Sequence, residues 1–422
     1  MQGATDAPII VTGLARNLTR GGMPTALRVD MAADGFMVRL EGQPPYSAAY
    51  RDLTTIGVDQ GQVLLVLGEA MRLIADQLGA GLATLVGELR ERRARQMLTD
   101  RLIDLPAHER LELVEYAAGD EHGVAQLAVH PWGAALMPLD ERRAWRLVRR
   151  ADIAAVRPDQ SAGRVAVEVA PRPGRAGYSF EMLGLGLDTV RMSQRLTALY
   201  DTALSDVAAI VAGLLVDAPP GIRQLASGLL IDGRPASRAE LGDAWGPIER
   251  AVLSEPTFAA SYAALAGHSA SAAGQSPSWI SLAPVRPTDP TVHKSWFLVG
   301  LPGGLLAFEL VSEGAHATYL FRANDSYEAA AFDVSECLID MRFLREPIYL
   351  AEDALAGARY LRYRLAIAAL PTLRAARARF VGRLIHSDEE SWARSLDDAV
   401  AWNAANQDAS AVWPGTDQSE GD

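Results

Sequence analysis

The sequence predicts an α+β protein: two tandem antiparallel, strand-rich units, each closed by a C-terminal helix, then a helical connector and a C-terminal α+β domain. Three observations carry this prediction. The stretch DLTTIGVDQ at 52–60 is nearly repeated, one hundred residues on, as DIAAVRPDQ at 152–160. Two further blocks follow in the same order: GQVLLVL (61–67) faces GRVAVEV (163–169) at an offset of 102, and LGAGLATL (78–85) faces LGLGLDTV (183–190) at an offset of 105. Spacing that drifts only between matched blocks is what loop insertions into a duplicated domain produce. Finally, each copy reads as short alternating or β-branched runs, broken by Gly, Asp and Gln turns, before its period lengthens to that of a helix.

The first unit, 20–104, offers TALRVDM, GFMVRLEG, DLTTIGV, QVLLVLG and AMRLIAD as strands. From Gly81 onward, Leu82, Leu85, Val86 and Leu89 fall on one helical face, with Arg90, Arg92, Arg93 and Arg95 toward solvent. The second unit, 105–205, offers RLELVEYA, VAQLAVH, GAALMPL, RAWRLVRRA, RVAVEVA and YSFEML, then a helix from about Leu187 with Val190, Leu199, Tyr200 and Leu204 as its apolar stripe. Sequential strands with short connections favour hairpins in an antiparallel sheet or partial barrel, and the closing helix covers its bare apolar face. The glycines of LGAGL and LGLGL read as tight strand-to-helix turns, because the third glycine and βαβ context of a dinucleotide loop are missing. Asp59-Gln60 and Asp159-Gln160 read as turn residues.

This element order, with its strand–LGxGL–helix junction, resembles the pleckstrin-homology-like (PH-like) fold, GRAM domains included, over residues 20–205 as two copies. The resemblance implies a bent antiparallel roll plugged at one end by a helix. Phosphoinositide-binding members carry a Lys/Arg cluster in the first hairpin loop. Here the corresponding stretches are DMAADGF and AVHPWGA, without such a cluster, so that activity is not implied.

Residues 206–266 predict a helical connector, in which Ser237 and Glu240 have capping-box spacing ahead of Leu241, Trp245 and Ile248. The Ser/Ala/Gly/Pro-rich stretch 267–284 predicts a flexible linker. In the C-terminal domain, 285–408, the run 295–323 predicts three strands. Asp333 then caps a helix with Val334, Cys337, Leu338 and Met341 on one face. A helix over 352–370 is interrupted at Pro371 and resumes over 372–386, and Ser387 with Glu390 starts a last helix. Residues 409–422 predict a disordered tail.

Composition narrows the function. With 52 acidic against 40 basic residues the net charge is −12, which argues against general binding to nucleic acid or to an anionic membrane. A single cysteine forbids an intrachain disulfide and suits a reducing compartment. MQGATDAPII lacks the basic start and apolar core of a signal peptide, and the uncharged run 257–285 is too polar to span a membrane. All basic residues but Lys294 are arginine, consistent with GC-rich bacterial coding. The expectation is a cytoplasmic protein.

The seven histidines lack zinc-like partners at short spacing and Cys337 lies on an apolar face, so no metal or cofactor is expected. GHSAS (267–271) misses the second glycine of a nucleophile elbow and reads as loop. The catalytic candidates are Glu309, Glu313, His316 and Arg322, with Tyr319, His293 and Lys294 nearby, since a carboxylate–histidine–arginine group can do acid–base work or hold an anion. Seven arginines fall between 359 and 383, and Arg362, Arg374, Arg377 and Arg379 are the candidates for contact with a protein partner or with acidic parts of the same chain, not with a nucleic acid. The leading reading is a non-catalytic interaction or scaffold protein whose PH-like units bind protein partners, with homo-oligomerisation compatible. The alternatives are an enzyme or small-ligand binder with its site in 290–350, and a peripheral membrane binder.

Overall fold

The computed structural model describes residues 8–68, 71–106, 109–140, 143–254, 259, 261–267, 277–287, 289–311, 317–324, 326–386, 388–406 and 411–416. The chain divides into two compact units, one comprising 1–114, 123–128 and 136–146, the other the remaining residues.

The first unit contains a seven-stranded antiparallel sheet built from β1 Ile9–Asn17, β2 Thr25–Met31, β3 Phe36–Leu40, β4 Tyr46–Ala48, β5 Leu53–Asp59, β6 Gln62–Leu67 and β7 Met71–Asp76. The order across the sheet is β4-β3-β2-β1-β7-β6-β5, and α1 Gly81–Thr99 follows. Alternation decides which face is buried: Val29, Val63, Leu65, Leu73 and Ala75 are inaccessible to solvent, as are Leu85 and Leu89 of α1. Burying one such aliphatic side chain contributes about 1.5–3 kcal/mol. β1 lies upstream of the expected start at residue 20. Gly13 weakens its apolar alternation, yet the site demands glycine, because a Cβ there would stand 2.7 Å from both the Asp76 carbonyl oxygen and Leu78. Among the α1 arginines, Arg92 and Arg95 pair with Glu88 and Glu91 one turn back, at 2.9 and 3.0 Å. Arg90 departs from the expected solvent position: it is half-buried and donates to the Ile56 carbonyl at 3.2 Å.

The second sheet has β8 Glu112–Ala118, β9 Glu121–His130, β10 Gly133–Pro138, β11 Arg146–Arg149, β12 Ile153–Asp159, β13 Arg164–Val169 and β14 Tyr178–Leu183. Its order, β11-β10-β9-β8-β14-β13-β12, repeats that of the first sheet strand for strand. The details repeat too. Short 3-10 turns, Tyr50–Asp52 and Arg150–Asp152, lead into β5 and β12, and a bulge interrupts both strands at the matching place, between Leu53 and Thr55 and between Ile153 and Ala155.

The growing offset has a structural cause at each step. The β5–β6 hairpin turns on Gln60 and Gly61, both left-handed (φ 46° and 83°), as a two-residue primed turn requires. Its counterpart spends four residues, 160–163, so the offset rises from 100 to 102. Between β6 and β7 lie residues 68–70, whereas β13 and β14 are separated by 170–177, which raises it to 107. The helix starts therefore match as Gly81 and Asp188. This corrects the LGxGL alignment at 105, which equated Leu82 with Leu187. The left-handed pair Gln77 and Gly79 matches Gly184 and Gly186, and the first helical amide donates to Leu78 in one copy and to Leu185 in the other, at 2.9 Å each. Leu82 thus corresponds to Thr189, while Leu187 is fully exposed. Glycine spacing in the sequence tracked chemistry that recurs two residues apart; backbone conformation resolves the slip.

In the second unit, α2 Asp188–Leu214 runs unbroken through 205–206, where a boundary was expected. Its buried stripe is Met192, Leu196, Leu199, Ala203, Val207 and Ile210, whereas Val190 and Tyr200 of the expected stripe are exposed. By length and composition α2 is the one helix among the described residues apolar enough to cross a membrane. After α3 Pro220–Leu229, the capping box forms as expected, with Glu240 N–H on Ser237 Oγ (3.2 Å) and Ser237 N–H on Glu240 Oε2 (2.8 Å), ahead of α4 Arg238–Leu241 and α5 Trp245–Val252.

A third, six-stranded antiparallel sheet follows in simple sequential order: β15 Ala236–Ser237, β16 Ser278–Arg286, β17 Asp289–Leu301, β18 Leu305–Val311, β19 Ala317–Arg322 and β20 Phe380–Ile385. The three strands expected over 295–323 are β17–β19. β16 occupies the end of the expected linker, and every residue from Ser278 to Pro284 is buried. α6 Tyr327–Asp340 starts at a Ser326 cap, not at Asp333, with Ala329 N–H on Ser326 Oγ at 3.0 Å. α7 Glu346–Tyr349, α8 Leu361–Ala369 and α9 Pro371–Arg379 follow, and the helix expected to reach 386 gives way at Phe380 to the buried, β-forming FVGRLI of β20. Asp388, not Ser387, caps α10 Glu389–Ala405; Ser387 lies outside the described residues. Part of the expected disordered tail, 411–416, is ordered against β20, where Trp413 N–H donates to the Val381 carbonyl at 2.8 Å.

Candidate functional site

β18 is covered on both faces, so Glu309 is a buried side chain, 3% exposed, and not part of a solvated hairpin. A buried carboxylate needs partners. Thr318 on β19 donates its hydroxyl to Glu309 Oε1 at 2.5 Å, and His386, the residue after β20, places Nε2 3.2 Å from the same oxygen. Nε2 also lies 2.9 Å from Thr318 Oγ, which accepts from Trp392 Nε1 of α10 at 2.9 Å. On the far side of the imidazole, Ser261 Oγ, in the helical segment 261–267, is 3.1 Å from Nδ1. The Trp392 ring meets the imidazole edge-on at 5.0 Å.

With the Thr318 proton committed to Glu309, the tautomer that serves every contact carries hydrogen on Nε2 and accepts the Ser261 Oγ–H at Nδ1. The arrangement is a hydroxyl, an imidazole and a carboxylate in sequence.

The other expected site residues fall elsewhere. Glu313 and His316 lie outside the described residues. Arg322 is four residues along β19 from Thr318, about 13 Å by strand rise, and donates to the Ala411 carbonyl at 2.8 Å. Tyr319 packs against Phe308 and Tyr349 at 5.7 and 6.0 Å. Arg374 donates to the carbonyls of Ile367 and Ala368, 3.1 and 2.5 Å, at the end of α8. Arg377 donates to the carbonyls of Pro347 and Leu350 and to Glu352, and Arg379 to Asp333 and the Arg322 carbonyl. Arg362 is on the exposed side of α8. Cys337 is fully buried, which pushes its thiol well up, and among the described residues no group of three His, Cys, Asp or Glu could hold a metal.

A second polar centre had no counterpart in the sequence reading. Position 50 holds a buried Tyr50, whose hydroxyl donates to the Ala32 carbonyl at 2.6 Å and is pushed up to about 12 by burial. The matching Arg150 is wholly buried in the second unit. It donates through Nη1 to Asp206 Oδ2 (2.8 Å) and through Nε and Nη2 to Asp232 Oδ1 (3.0 and 2.9 Å). Alongside, the longer 170–177 loop sets Arg172 between Asp152 and Glu336 and pairs Arg175 with Asp333 and Glu336. Burial, reinforced by Arg149, lowers Arg172 to about 9. A cavity of about 40 Å³ here, lined by Arg149, Asp152, Arg172, Asp232 and Glu336, is the size of a water or two. The aligned YRD and RAD of the repeat were the available signal for Arg150. No protein-family model matches the chain, and no curated protein matches it.

Proposed function

We propose that the chain is an interaction protein whose two seven-stranded sheets, each followed by a helix, are PH-like and bind protein partners in the cytoplasm. Support comes from the shared strand order ending in a helix, and from one edge in particular. β5 is a terminal strand, and Asp59 and Gln62 close its two-residue hairpin as a hydrogen-bonded pair, so Val58 directs its backbone groups away from β6. Val58 is 47% exposed. An extended segment of a partner can add to such an edge. At the matching position β12 carries Pro158, which has no N–H to offer. The binding edge is therefore that of the first copy.

Val58→Pro in the full chain tests this. The Val58 N–H takes no part in the β5–β6 ladder, so the fold should tolerate proline. A photo-crosslinking residue at position 58 should capture a discrete partner in the native cell, one at position 158 should not, and Val58→Pro should remove that partner from the copurifying set. Equal capture at both positions, or a partner set unchanged by Val58→Pro, argues against the reading.

A further inference from the structure

We propose that Ser261, His386 and Glu309 form an acyl-transfer centre that hydrolyses a carboxylic ester, with Ser261 as the nucleophile. This goes beyond the binding role of the seven-stranded units and does not depend on it.

The argument rests on the order of the groups. A serine hydroxyl becomes a nucleophile when a neutral imidazole nitrogen can take its proton and a third group holds the ring in the required tautomer. Each condition has a residue here. Ser261 Oγ lies 3.1 Å from His386 Nδ1, and His386 Nε2–H is held by Glu309 Oε1 at 3.2 Å and Thr318 Oγ at 2.9 Å. The nitrogen roles are the reverse of the usual serine-protease assignment, but the imidazole needs one nitrogen for each partner and supplies both. The network satisfies Glu309 through Thr318 and His386, and it sets a serine hydroxyl on the opposite imidazole nitrogen, in line with the carboxylate. The His386 side chain keeps 16% of its surface exposed, so the centre is not sealed. Trp392, Tyr262 and Leu384 belong to the adjoining core, so the imidazole sits in apolar surroundings.

The step balances without a co-reactant other than water. Ser261 Oγ bonds to the acyl carbon as its proton passes to Nδ1. The ester C–O bond breaks, and the alcohol leaves with that proton. Water then attacks the acyl-serine by the same route, releasing the acid and restoring Ser261. Glu309 touches no reacting atom and acts as a positioning residue.

The test treats the full-length protein with a fluorophosphonate, which labels a serine only when it is activated, and maps the adduct by mass spectrometry. Turnover of p-nitrophenyl acetate is followed in parallel. We expect one adduct, on Ser261, absent in Ser261→Ala. His386→Gln should slow labelling by about 100-fold or more, the general-base contribution. Glu309→Gln should lower kcat per titratable serine while leaving the number of titratable serines unchanged, whereas loss of fold would reduce that number. Ser261→Ala keeps the Glu309–His386–Thr318 bonds, so its melting temperature should match the wild type. A natively melting wild type without an adduct on Ser261 overturns the proposal, as does labelling that is undiminished in His386→Gln.

Discussion

Position 150 shows how one residue can re-purpose a duplicated site. Tyr50 satisfies its single polar atom locally, through the Ala32 carbonyl, and stacks on Phe36 at 5.4 Å. Arg150 has to draw carboxylates from α2 and from the left-handed turn at Asp232 (φ 50°). Arg150→Met should destabilise the protein by about 3–5 kcal/mol, because it leaves two carboxylates buried without their counter-charge. Adding Asp206→Leu and Asp232→Asn should recover most of that loss in urea unfolding; Asn suits the left-handed turn. No recovery would mean that packing, and not the stranded charge, sets the cost. His130 supplies a pH test. Burial, helped by nearby Arg342, lowers it to about 3 from an ordinary 6.5. The unfolded chain therefore binds the proton that the folded chain refuses. Stability should be full above pH 6.5 and fall, by up to about 1.4 kcal/mol per pH unit, as pH drops toward 3. His130→Gln should flatten that limb; an unchanged acid limb would assign it to the carboxylates. At this scale the sequence exposed little of the chemistry. Glu309 was legible as a candidate, but its partner His386 is 77 residues away. Only the pairing of β18, β19 and β20 joins them, and no spacing rule reports that.

Among the elements, legibility followed alternation. β6 and β13 each have one buried face, so their period of two was visible. β16 is buried on both faces and includes Ser278 and Ser281, so it reads as a polar linker. β20 follows directly on α9 and was absorbed into its helical pattern. Ser281 offers a check on the β16 assignment. It is fully buried, and its hydroxyl lacks a hydrogen-bond partner. An unsatisfied buried hydroxyl costs about 1–3 kcal/mol, so Ser281→Ala should leave stability unchanged or raise it by about 1 kcal/mol, read by chemical denaturation. Ser281→Asp should be strongly destabilising. Tolerance of aspartate would return the segment to an exposed linker. The inserted loops behave as the drifting offset implied. Two residues lengthen a hairpin without altering its strands, and five more in 170–177 carry Arg172 and Arg175 to acidic residues of α6.

At the scale of the whole molecule, the shared architecture of the two seven-stranded sheets is the central claim. It explains the repeated nine residues, the paired bulges, the paired left-handed turns and the stepwise offset with one event followed by insertions. It also explains why the repeat was legible while its helix junction was misplaced: backbone geometry fixes Gly79 and Gly186 as equivalents, whereas residue matching fixes Gly79 and Gly184. The arginine-rich helices fit the same economy of charge. Arg374, Arg377 and Arg379 bond to carbonyls and carboxylates of their own chain, in a protein with 12 excess acidic charges. The most direct test is an experimental structure of the full chain, with β5–β7 and α1 superposed on β12–β14 and α2. The account predicts identical strand order, bulges after both Leu53 and Ile153, and Gly81 superposing on Asp188. A different strand order in the two sheets, or helix starts that coincide only when Leu82 is placed on Leu187, would contradict it.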